Sequence, residues 1–208
     1  MVEKIAGSGP RRPRGRPPAS PARRQAMIAA AFDVIATDGF EGLRMREIAA
    51  RVGADHSTIH HYFASKEALV EAVATDATGR FRGTTPDTGS ATERLIGHLA
   101  NLATRIVEEP KLHIVMRELD LRANRDPALR ATLNDLERGW RQNLHRLLEQ
   151  AASQGTVVRS VSPDDTAELI IAAAKGASLD PSIAQAAMPQ LTRLLIQEPA
   201  DSQDGEGT

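Results

Sequence analysis

Cysteine is absent from all 208 residues, which rules out disulfides, thiolate zinc sites and a cysteine nucleophile. Aromatic residues make up only 3% of the chain, so any core must be built from Leu, Ile, Val, Ala and Met. No apolar run approaches the roughly 18 residues needed to cross a bilayer. The opening "MVEKIAGSGPRRPRGRPP" is polar and basic where a secretory leader would be apolar. A soluble, cytoplasmic protein with no membrane association is therefore expected. Sustained two-residue alternation of apolar and polar positions is also missing, which argues against strands. What remains is 41% hydrophobic and long enough for one sizeable domain, or a small one beside a larger one.

The net charge of −1 conceals an uneven distribution. Residues 1–66 hold 11 Lys and Arg against 6 Asp and Glu; residues 67–208 hold 15 against 21. A basic head on an acidic body points to a polyanion as partner of the first third. A charged solubility tail is the plain alternative.

Helix starts are marked by Ser20-Pro21, Asp126-Pro127, Ser162-Pro163 and Asp180-Pro181, each a capping side chain followed by proline at the first helical position. Between these marks the apolar residues recur at spacings of three and four. The expectation is an all-α chain of about nine helices, at about 21–37, 44–51, 55–61, 66–82, 91–108, 110–124, 127–153, 163–178 and 181–197. Residues 1–19, rich in Gly, Pro and Arg, form a basic arm expected to be disordered when unbound. The acidic end, 198–208, is expected to be disordered too. Residues 20–66 and 67–197 are the expected domains.

Ala49, Gly53 and Ile59 form the set a helix-turn-helix needs. A small residue lets two helices cross closely, Gly supplies the left-handed turn, and an apolar side chain plugs the angle. The stretch "RRQAMIAAAFDVIATDGFEGLRMREIAARVGADHSTIHHYFASKEALV", residues 23–70, resembles the TetR family of bacterial transcriptional regulators. Ala30-Ala31-Phe32, Gly39, Ile48-Ala49, Gly53, Tyr62-Phe63, Ser65-Lys66-Glu67 and Leu69 carry the resemblance. It implies an N-terminal three-helix DNA-binding domain followed by a larger helical domain for ligand binding and dimerisation.

It further implies that the 55–61 helix enters the major groove of double-stranded DNA at a palindromic operator. His56, Ser57, Thr58, His60 and His61 would then face the bases, with hydroxyl and imidazole groups able to meet base edges or phosphates. Lys66 resembles the family's phosphate-contacting lysine, the position of His60 is one that commonly touches the DNA backbone, and Tyr62 is counted among the DNA-binding residues. At Lys66 the amides of a helix N-terminus would add to the attraction. The family commonly has Tyr where His60 stands, and Thr or Ser where Leu43 and Arg44 stand. Arg44 would there replace a capped phosphate contact with a charged one.

Three of the six histidines fall within six positions, so a metal site needs weighing. His56 and His60 are four apart, as in H-E-x-x-H, but Ser57 occupies the place of the glutamate and no third ligand is near in sequence. No metal and no cofactor are expected. In the arm, Pro13-Arg14-Gly15-Arg16-Pro17 resembles an AT-hook core. Arg14 and Arg16 would reach along a narrow minor groove, where negative potential concentrates.

Residues 83–208 hold no catalytic constellation, so an enzyme is not expected. Leu95, Leu99, Leu102, Ile106, Val115, Met116, Leu119, Leu136, Trp140 and Leu144 read as core. The polar residues among them, His98, Asn101, His113, Arg117 and Asp120, with the indole N–H of Trp140, are the candidates for a small-molecule effector site. The run "TAELIIAAAKGASL" and the last helix are apolar nearly all round. A homodimer through helices 163–178 and 181–197 is expected. The expected function is a ligand-modulated repressor of transcription. The alternatives are a low-specificity architectural DNA-binding protein using the arm, and a small helical enzyme using His98, His113 or Asp120.

Overall fold

A computed structural model describes residues 20–81, 83–157 and 162–196. The arm with Arg14 and Arg16 and the acidic end lie outside the described residues.

The described residues form α1 (Pro21–Gly42), α2 (Met45–Arg51), α3 (His56–Tyr62), α4 (Lys66–Gly79), α5 (Ala91–Glu108), α6 (Pro110–Ala123), α7 (Pro127–Ser153), α8 (Pro163–Ala177) and α9 (Pro181–Leu195). Local chemistry sets the starts. The side chains of Ser20, Asp55, Ser65, Ser90, Asp126, Ser162 and Asp180 each accept a backbone N–H of the first turn. Such a cap is worth about 1 kcal/mol against alanine. Proline stands in the first turn of α1, α6, α7, α8 and α9, where its missing N–H costs nothing.

Glycine sets two of the turns. Gly39, with φ 64° and ψ −170°, kinks the end of α1 and turns Phe40 back into the core. Gly53, with φ 65°, closes α2. There the N–H of Ala54 reaches the carbonyl of Ala49 at 2.9 Å and that of Gly53 reaches Ala50 at 3.0 Å, the paired bonds of a Schellman ending.

Two large apolar cores result, with a small third cluster of Ala91, Leu147, Ala151 and Val157. The first gathers Met27, Ala31, Phe32 and Ile35 of α1, Ile48 and Ala49 of α2, Ile59 of α3, and Leu69 and Val73 of α4. It also takes in Leu112, Val115 and Leu119 of α6 and Leu129 and Leu133 of α7. The second joins Leu95, Leu99, Leu102 and Ile106 of α5 to Leu144 and Leu148 of α7, Ile170 and Ile171 of α8, and Met188 and Leu191 of α9. The long α7 thus serves both large cores and the small cluster, and α6 sits between the three-helix head and the rest. A lone antiparallel bridge joins Val157 to Ile196. No helix among the described residues is long and apolar enough to cross a membrane.

Candidate nucleic-acid interface and internal cavity

The short α3 stands on the angle it makes with α2. Ile59 is wholly buried and plugs that angle, contributing about 2 kcal/mol, while Ala49 beneath it is equally enclosed. The opposite face carries His56, Ser57, His60 and His61, all exposed. The His56 and His60 rings meet edge-on, with centroids 4.9 Å apart. Thr58 is half-buried and held by its cap: Oδ1 of Asp55 accepts its N–H at 2.8 Å and its hydroxyl at 2.7 Å. The Ser57 hydroxyl also donates to that oxygen, at 2.8 Å. Both hydroxyls are thereby turned toward the cap, beside the three exposed imidazoles.

Around α3 stand the other predicted contact residues. Tyr62 is half-buried, and its hydroxyl accepts the N–H of Ser20 at 3.0 Å, so the start of α1 is tied to the end of α3. Lys66 leans inward, its Nζ donating to the carbonyl of Phe40 at 3.3 Å. Arg44 is exposed at the start of α2 and makes no capping bond. Among the described residues no group of three His, Asp or Glu comes together to hold a metal.

A cavity of about 1100 Å³ opens between α5, α6, α7 and α8. Of the polar residues singled out in the sequence, His98, His113, Arg117, Asp120 and Trp140 line it; Asn101 does not. The Asn101 amide instead donates to the carbonyl of Thr84 at 2.8 Å. Leu102, Ile106, Met116 and Leu136, expected as plain core, form part of the wall.

The segment 83–87, which reads as a mere linker in the sequence, supplies a wall as well. One face of α5 holds it there. Arg94 donates from Nε to the carbonyl of Pro86 at 2.9 Å, and a Cβ on Gly97 would stand 2.6 Å from the Pro86 ring. Thr85 lies 3.1 Å from Nδ1 of His98. Burial pushes the His98 pKa down to about 4, against the opposing pull of the Thr84 carbonyl, so the ring is neutral at physiological pH. Burial also lowers the pKa of His113, whose ring meets Phe81 edge-on.

One residue set sits on both sides of α6. His113, Met116, Arg117 and Asp120 face the cavity, while Leu112, Val115 and Leu119 pack in the core of the three-helix head. Lys111 pairs with Asp33 of α1 at 2.8 Å, and the Arg122 guanidinium lies 5.0 Å from the centre of the Phe40 ring.

Residues 27–73 match the family described as bacterial regulatory proteins, tetR family, and residues 85–179 match the tetracyclin repressor-like C-terminal domain. The chain belongs to the TetR family. It is 32% identical over 91 residues to the uncharacterized HTH-type transcriptional regulator YdeS of Bacillus subtilis, covering 43% of this chain and 44% of that one. It is 40% identical over 62 residues to the HTH-type transcriptional regulator BetI of Rhizobium meliloti, covering 30% of each. The chain thus spans less than half the length of the curated relatives it matches. The fold resembles that of a TetR transcriptional regulator from Chloroflexus aurantiacus, with a TM-score of 0.73 at 21% identity over 85% of this chain and 98% of that one.

Proposed function

We propose that this protein is a sequence-specific DNA-binding regulator of transcription, a repressor that a small molecule in the cavity releases from its operator. The observation that carries the proposal is the exposed imidazole face of α3, raised on the Gly53 turn above a buried Ile59. In this reading His56, His60 and His61 meet base edges, and Ser57 and Thr58 join them once their hydroxyls rotate from Asp55. Arg44, Tyr62 and Lys66 contact phosphates, and Arg14 and Arg16 of the arm follow the minor groove.

Two such heads are needed for a palindrome. The supporting surface is the outer side of α8 and α9, where Leu169, Ile183 and Leu194 are 53%, 49% and 62% exposed. Large side chains so uncovered mark an interface, and a two-fold pairing there makes a four-helix bundle. The two α3 helices then sit about 34 Å apart in successive major grooves. A ligand that prefers one placement of α6 shifts that spacing by its differential affinity for the two arrangements.

Gel-shift assays with an operator selected from random DNA test the reading surface. The triple variant His56→Ala/Ser57→Ala/His60→Ala is expected to lose sequence preference while keeping its fold. Undiminished specific binding by that variant overturns the proposal.

A further inference from the structure

Two clusters stand out among the polar groups of the cavity, which is also lined by Asp87, Arg94, His113 and Arg117. One is ionic, and within it Oδ1 of Asp120 is buried without a hydrogen-bond donor. Nζ of Lys175 lies 2.5 Å from Glu137 and 3.5 Å from Asp120, and Arg130 lies 3.6 Å from Asp120. The other set is uncharged and consists of Trp140, His98, Thr85 and Asn143.

Each hydrogen bond in the uncharged set has a fixed direction. The indole N–H of Trp140 can only donate, and it reaches Nε2 of His98 at 2.9 Å. Nε2 is therefore the bare nitrogen, and the neutral ring carries its hydrogen on Nδ1, facing Thr85 Oγ1 at 3.1 Å. A second proton on His98 would set N–H against N–H. Asn143 presents its amide nitrogen to the same Thr85 oxygen at 3.0 Å. That orientation is fixed by Arg146, which donates to the Asn143 oxygen at 3.1 Å. Thr85 Oγ1 thus faces two donors and can give its own hydrogen to neither. No acceptor for it exists among the described residues, and Thr85 lines the cavity.

We propose that the cavity takes an uncharged amphipathic molecule whose carbonyl oxygen accepts the Thr85 hydroxyl hydrogen. Its apolar body lies along Phe81, Leu102, Ile106, Met116 and Leu136. The proposal rests on the reading of this cavity as the effector site. A cationic ligand would have to compete with Lys175 and Arg130 for Asp120 and Glu137. A carboxylate at Thr85 would give up its hydration for one hydroxyl beside His98, Trp140 and Asn143. Arg94 and Arg117 of the lining donate to the carbonyls of Pro86 and Leu179, and Lys175 and Arg130 pair with Asp120 and Glu137.

The test uses the full chain and three ten-carbon probes, 2-decanone, decanoate and decyltrimethylammonium. Binding is read by calorimetry and by the emission of Trp140, the chain's single tryptophan. The ketone is expected to bind about tenfold tighter than either charged probe, as one well-placed hydrogen bond allows. Thr85→Val should lower ketone affinity about tenfold and leave the charged probes within about twofold; Thr85→Ser should keep the ketone.

Tighter binding of decanoate or of the ammonium, no ketone binding to the wild type, or equal ketone binding by Thr85→Val overturns the proposal. The probe ranking on wild type needs no variant, so a misfolded Thr85→Val does not spare it. Operator binding measured alongside separates the two readings. A ketone that binds as expected without weakening the DNA complex supports the ligand class and overturns the regulatory role.

Discussion

The hydroxyl of Tyr62, in the last turn of α3, accepts the backbone N–H of Ser20, 42 residues earlier, at 3.0 Å. The bond sets the N-cap of α1 beside the end of the proposed reading helix. It uses only a lone pair, so the phenolic hydrogen remains available to a phosphate. Tyr62→Phe removes both roles. Since the bond is exposed, unfolding free energy should fall by less than about 1 kcal/mol. Operator affinity should fall about fivefold, with the dependence on salt unchanged because no charge is lost. Fluorescence-anisotropy titrations at several salt concentrations check both. A changed salt slope would count against a neutral phosphate contact.

Gly39 and Gly53 share a positive φ but not a tolerance for substitution. Gly53 ends α2 in a left-handed turn with nothing within 4 Å of where a Cβ would stand. Gly53→Asn should therefore cost only about 1 kcal/mol. Gly39 combines φ 64° with ψ −170°, a region essentially restricted to glycine, and the Glu118 carboxylate lies 3.5 Å from a Cβ placed there. Gly39→Asn should cost about 3 kcal/mol and loosen the Phe40 corner that Lys66 and Arg122 grip. Urea denaturation of the two variants ranks them, and equal losses would refute the distinction.

The helix starts were readable in the sequence because capping is local chemistry: a side chain and an N–H three residues on suffice. The α2–α3 elbow was readable for the same reason, since Ala49, Gly53 and Ile59 lie within eleven positions. His98, His113, Arg117, Asp120 and Trp140 stood out as polar groups on apolar stripes, and they meet at one cavity. The 83–87 segment did not stand out. Its placement depends on Arg94, Gly97, His98 and Asn101 sharing one face of α5, a pattern that becomes meaningful only once the chain has folded back on itself. Lys175 lay hidden in an alanine-rich run, and its partners Asp120 and Glu137 come from two other helices.

His98 ties stability to pH. Its folded pKa of about 4 lies below the usual 6.5, so between these values the unfolded chain binds a proton the native protein refuses. Stability should therefore fall as pH drops from about 6.5 to about 4 and level off below, by up to about 3 kcal/mol. His98→Gln cannot titrate, so its curve should lack this component. The difference between wild-type and variant urea midpoints across that range isolates it. Parallel curves would show that His98 contributes nothing.

The outer face of α8 and α9 supports the last prediction. Leu169 and Leu194 project from it, 53% and 62% exposed, beside the small exposed residues Ala172, Gly176 and Ala186. Small residues let helices approach closely, and the two leucines then supply the apolar area. Leu169→Glu/Leu194→Glu places two carboxylates per subunit into a two-fold seam, where each meets its counterpart and loses water without gaining a partner. Within a single subunit both side chains already face solvent, so the fold should survive with unchanged circular dichroism. Sedimentation should then report a dimer for wild type and a monomer for the variant. Operator affinity should drop at least about a hundredfold, because a lone head forfeits the second half-site. A variant that still sediments as a dimer would place the subunit contact on another surface.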